Sequence, residues 1–156
     1  MQSLVVLIWL TVCAAQDARR RRIANALTLG VGALALVFLL YSGSTWMGAA
    51  AEQGGWACLV ALVFTLPGYF MGRMGAGDVK LMTALGLATD GTLLLGIFIG
   101  AGVASIVWML LAPRVWLHMS QGLRRRLRYM RPSMSKKLPF APFVLIGFVL
   151  VLPWIH

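Results

Sequence analysis

Apolar residues fill five stretches of the chain, at 3–15, 26–42, 54–71, 81–112 and 138–155, and the polar residues are bunched between them. The second, third and last stretches have the length of a helix that crosses a hydrocarbon core of ~30 Å. The run 81–112 is too long for one crossing: its 32 residues would cover roughly 48 Å as a helix. It is interrupted at Ala88-Thr89-Asp90-Gly91, a polar turn signal. That break divides it into a short helix over about 78–89 and a longer one over 92–112. The pattern therefore predicts an all-α polytopic membrane protein. Its six spans lie at about 3–16, 25–42, 54–71, 78–89, 92–112 and 138–155, in a single membrane-embedded domain covering 1–156. The first and fourth spans are at the short limit.

Composition agrees with the pattern. Hydrophobic residues make up 60% of the 156 residues and charged residues 12%, about half the charged share of a soluble domain. Mean hydropathy is +0.86. There is too little polar surface to cover a water-soluble core. The net charge of +10 would suggest nucleic acid on a soluble domain. Here it belongs at membrane surfaces, where basic residues set topology and meet anionic lipids. No nucleic-acid-binding motif accompanies it.

The basic residues orient the spans. None precedes the first apolar stretch and Arg19–Arg22 follow it, the reverse of a signal peptide. With both termini on the outer side, the inner loops are 16–25, 72–80 and 113–137. They hold four, two and eight basic residues, which is all 14 in the chain. Five spans cannot place all three basic loops on one side. Six can, as the positive-inside rule requires. Within the third loop, Trp116, Met119, Leu123, Leu127 and Met130 step at helical spacing. His118, Gln121, Arg125 and Arg128 fall on the other face. This reads as an amphipathic helix on the cytoplasmic membrane surface, or as a solvated positive loop with chance spacing.

Candidate chemistry is sparse. Cys13 and Cys58 sit alone in apolar runs, with no metal or disulfide spacing. His118 and His156 are single. Of the four acids, Glu52 and Asp90 lie at outer turns, where a cap or turn residue is expected. Asp17 closes the first span and Asp78 opens the fourth, so both lie at the cytoplasmic depth and converge if spans one and four pack together. Acids at a membrane boundary are functional candidates by default. Two carboxylates held close cannot both ionise cheaply, so one keeps a proton. The ionised one can take a proton from water while the other polarises a peptide carbonyl. That chemistry needs no metal and no cofactor. Each aspartate also has a structural reading: Asp17 as a helix-end residue neutralised by Arg19–Arg22, Asp78 as an N-cap beside Lys80. Glycines at 75 and 77 suit positive φ and close backbone approach.

The stretch Gly75-Ala76-Gly77-Asp78-Val79-Lys80-Leu81 resembles the GxGDxK signature of the type IV prepilin peptidases, a family of membrane aspartic proteases. Asp17-Ala18-Arg19-Arg20-Arg21-Arg22-Ile23-Ala24-Asn25 is similar to the family's D-x-R-x-x-x-I-P-N stretch, with Ala24 in place of the proline. Leu138-Pro139-Phe140-Ala141-Pro142-Phe143 resembles the proline-marked start of its last span. The resemblance runs from residue 1 to about 155. It implies a catalytic pair, Asp17 and Asp78, with Gly75, Gly77, Lys80 and Asn25 supporting the substrate or the backbone around it. It implies prepilin or pseudopilin substrates, cut after a short basic leader at the cytoplasmic face of the bacterial inner membrane, with no metal or other cofactor. Larger members carry an N-terminal cytoplasmic region with paired CxxC cysteines, associated with N-methylation. This chain shows neither and is most similar to the peptidase-only members of tight-adherence (Flp-type) pilus systems, without methyltransferase activity. Two other classes remain: a non-catalytic membrane subunit of a pilus or secretion machine, and a small ion-coupled transporter. The transporter reading asks for acids near the midplane. The presenilin type fits less well, since no Tyr-Asp pair or Pro-Ala-Leu element is present.

Overall fold

The structure, a computed structural model, describes residues 1–127, 130–131 and 139–154. Each apolar stretch is helical, and the fold is all-helical apart from turns and an isolated bridge between Ser44 and Ala50. Helix α1 (Gln2–Arg20) ends where Arg21 turns left-handed, at φ 51°, and donates its N–H to the Asp17 carbonyl at 2.8 Å. The chain restarts after Asn25 with one wide π turn, Ala26–Gly30, that runs into α2 (Val31–Ser42). Helix α3 (Ala51–Phe70) carries Glu52 in its first turn. Helix α4 (Ala76–Ala88) follows a short turn, and α5 (Gly91–His118) is capped by Asp90, whose Oδ1 accepts the Leu93 N–H at 2.9 Å. A short α6 (Gln121–Arg126) and α7 (Ala141–Val151), prolonged by a 3-10 turn Leu152–Trp154, complete it.

Two sequence expectations need correction here. Helix α5 does not stop at 112 but passes through Pro113 to His118. A proline inside a helix removes one donor and strains one turn; the helix resumes beyond it. The amphipathic stretch is not one helix. It breaks at Met119, where ψ reaches 141°, and Ser120 starts α6 from extended backbone. The seam that begins at Trp116 is therefore split between two helices; Arg128 and residues 132–138 lie outside the described residues, as do 155 and 156. Helix α1 packs chiefly on α7, while α4 packs on α3 and α2.

Small residues make these contacts close. A Cβ built on Gly147 of α7 would run into the Ile97 carbonyl oxygen and lie 2.8 Å from Ala101 N, and one on Gly100 would lie 2.8 Å from Gly147 Cα. Helices α5 and α7 therefore meet backbone to backbone. A Cβ on Gly86 would lie 2.9 Å from the backbone of Ala57 and Cys58, so α4 and α3 do the same. Around these crossings Leu10, Cys13, Leu81, Leu85, Leu94, Ile97, Phe143 and Phe148 form a common core. The outward faces are apolar as well: Leu34, Leu40, Val63, Ile99 and Leu110 are all exposed. Among the described residues, Ala51–Phe70 and Gly91–His118 are long and apolar enough to cross a membrane, and only 22% of each apolar window is buried within the protein. Small residues at the crossings with large apolar side chains outside is the arrangement of helices packed in lipid, where association rests on close van der Waals contact.

Candidate active site

Asp17 lies in the last turn of α1 and is buried, at 5% exposure. Its Oδ2 accepts the N–H of Ala141, the first residue of α7, at 3.0 Å across 124 positions of sequence. Asp78 is buried too, at 8%, and its Oδ2 accepts the N–H of Gly75 at 3.0 Å. Each carboxylate thus has one oxygen held by a main-chain amide at the start of a helix. Helix N-termini favour negative charge through their unsatisfied N–H groups, which offsets part of the cost of burying these groups. The Arg21 guanidinium adds attraction at Asp17.

Asp78 is therefore not the N-cap that the sequence suggested. Gly75 is the N-cap of α4, and Asp78 is its third residue, reaching back to the cap amide as the acidic half of a capping box does. The reason given for the glycines also changes. Gly75 is extended, at φ −82°, and Gly77 lies inside the helix. The positive φ in this turn belongs to Gly72, at 70°, which lets the chain leave α3. Gly75 is small for another reason: a Cβ there would come within 3.2 Å of Asp78 Oδ2. At Gly77 a Cβ would meet only Ile23, at ordinary contact distance.

The two aspartates open onto one cavity of about 740 Å³. Asn25, Gly75, Gly77 and Lys80 line it too, together with Gln16 and Arg20–Arg22. All six residues singled out in the sequence therefore share this space. Lys80 Nζ donates to Asn25 Oδ1 at 3.1 Å, bridging the π turn and α4 across the cavity. Where a proline would fix the turn before Asn25, Ala24 donates its N–H to Gln16 Oε1 at 3.0 Å. A hydrogen bond holds the turn that a ring would otherwise restrict. Sequence reasoning missed Gln16 and the Ala141 amide, although the proline-marked stretch around 139–142 pointed to the second.

Residues 4–110 match the profile of the type IV leader peptidase family, well over half of the chain. The chain belongs to that family. It is a membrane aspartic peptidase of the kind that removes leader sequences from prepilins and pseudopilins. No match to this peptidase was found among curated proteins or among solved structures. The matched stretch includes α1 from its third residue and α2 to α4 entire, and with them both aspartates and the cavity that they line. The helix whose amide holds Asp17, α7, lies beyond it.

Proposed function

We propose that Asp17 and Asp78 are the catalytic pair of this peptidase, and that they hydrolyse the leader junction of a prepilin at the cytoplasmic face of the inner membrane. The observation that carries the reading is their convergence: two buried carboxylates, 61 positions apart in sequence, line one open cavity. One of the pair is ionised and takes a proton from water as the water oxygen bonds to the scissile carbonyl carbon. The other, protonated, donates a hydrogen bond to the carbonyl oxygen, where charge develops. The tetrahedral intermediate then collapses, the C–N bond breaks, and the new amine leaves with a proton from the pair. The six-span topology with both termini outside supports the cytoplasmic orientation, because it gathers all 14 basic residues on the side where the cavity opens. The substrates are proposed to be of the Flp type, and the basic loops are proposed to hold anionic lipid headgroups.

Co-expression with a prepilin encoded beside the gene tests the reading: the pilin should lose its leader, as read by its mass. Cleavage should persist in the presence of strong chelators. Among the described residues no three His, Cys, Asp or Glu side chains are grouped to hold a metal ion. Loss of activity with chelator, restored by a divalent metal, would overturn the two-carboxylate mechanism.

The glycines give a finer test. In Gly75→Ala the new methyl crowds Asp78 Oδ2 and shifts the carboxylate by a few tenths of an ångström. Cleavage should fall about tenfold, a barrier change of ~1.4 kcal/mol. Gly77→Ala, with room against Ile23, should stay within about twofold of wild type. Equal kinetics for the two variants would separate Gly75 from the positioning of Asp78.

A further inference from the structure

A second hollow, of about 440 Å³, runs between α2 and α4 and begins where the catalytic cavity ends. Lys80 lines both. Beyond it, with Leu62 of α3 also in the lining, the two walls are Leu29, Ala33 and Leu36 on one side and Thr83 and Leu87 on the other. These positions recur every three, four or seven residues, so each wall is one face of a helix. From Lys80 to Leu87 the furrow extends roughly 10 Å, about two helical turns. It exists because the helices touch at small residues: a Cβ on Gly32 would lie 3.4 Å from that of Ala84, while the leucines stand up on either side. No charged group other than Lys80 faces it.

We infer that this furrow seats the first turns of the apolar helix that follows the scissile bond in the prepilin. The inference rests on the catalytic reading of the adjoining cavity and names a subsite for it. Continuity decides the occupant. A chain whose peptide bond lies between Asp17 and Asp78 leaves the cavity past Lys80, and there the lining changes from Arg20, Arg21 and Arg22 to apolar walls. A substrate that changes from basic to apolar at its cleavage site matches that change on its apolar side. Another apolar pocket, lined by Val5, Trp9, Leu34 and Trp46 among others, shares no residue with the catalytic cavity. The exposed faces of α5 offer side chains such as Ile106 and Leu110 but likewise no opening to the aspartates. In lipid, helices gain little from hiding apolar surface and associate through fit, so the shape of the furrow, which Ala33 helps to line, does the selecting.

The test uses the full chain in membranes with an intact prepilin. Ala33→Phe fills the furrow without touching the cavity. It should raise KM for the prepilin about tenfold and leave kcat within about twofold, the signature of lost uniform binding. Leu110→Phe should change neither. In the Asp78→Asn background, a photoreactive benzoylphenylalanine at Leu36 or Leu87 should form adducts with the apolar segment of the prepilin, and one at Ile106 should not. If Ala33→Phe matches wild type, or if adducts form only from Ile106, the furrow is not the subsite. Adducts from Leu36 and Leu87 to lipid or to a second copy of the chain overturn it equally. A wild-type chain that leaves the prepilin uncut would instead bring down the catalytic reading, and this inference with it.

Discussion

Asp17→Asn and Asp78→Asn should each lower leader cleavage by about 10³-fold or more, the scale of losing a positioned acid or base, while the chain should still fold and insert. Asparagine is the informative replacement because its Oδ1 can still accept a main-chain N–H. The anchors to Ala141 and Gly75 survive, and only the proton chemistry goes. The double variant should be little worse than either single one, since groups that act as a unit are not additive. Asp17→Ala differs: it also abandons a buried Ala141 N–H, at a cost of about 1–3 kcal/mol, and should lower thermal stability as well as activity. Asp90→Asn keeps a good N-cap for α5 and Glu52→Gln changes an exposed residue, so both should cleave normally. The measurement is single-turnover cleavage of a membrane-embedded prepilin beside a melting curve in detergent. Retained cleavage in either asparagine variant would remove that residue from the mechanism.

The other large effect is expected far from the aspartates. Gly147→Val places a branched side chain where the Ile97 carbonyl and Ala101 N already lie in contact range. The obstacle is backbone on a packed helix, so neither side can yield cheaply. Overpacking of this kind costs about 1–3 kcal/mol and occasionally more, and here it forces α7 away from α5. Because the first amide of α7 holds Asp17, the displacement reaches the site. Cleavage should collapse together with thermal stability, although residue 147 touches neither substrate nor aspartate. Gly102→Ala on the same helix pair meets nothing within 4 Å. It should be neutral, or stabilising by up to ~1 kcal/mol through helix propensity. If the two variants melt alike, the close crossing of α5 and α7 is not what supports the site.

Much of this was legible in the sequence because the bilayer simplifies it. Apolar length marked the helices, and the Asp90 turn split the long run. The GxGD stretch and the aspartate before Arg19–Arg22 then named residues that do line one cavity. Hydropathy carries no information on which helix packs on which, since every span is equally apolar to lipid. That is why the packing of α1 on α4 could be posed only as a condition, and why its contact with α7 was not foreseen. Glycine in a motif was also ambiguous. The letter alone does not separate a left-handed turn, as at Gly72, from a residue kept small beside a carboxylate, as at Gly75. The end of α5 was missed because the apolar run stops at Ala112, and the helix continues past it through Pro113 and Arg114 to His118.

The bond from Ala141 to Asp17 has a consequence in time. The ribosome makes residue 17 early and residue 141 late, with 124 positions between them. At about 5–20 residues per second, several seconds separate the two events. Through the last part of that interval the first four helices, with both aspartates, are already synthesised, but Asp17 has no α7 amide to fix its oxygen. A nascent chain in that interval carries both aspartates without the α7 anchor, and Asp17 gains its contact with Ala141 only when the last helix docks. Loss of α7 by proteolysis would return the chain to that unanchored state.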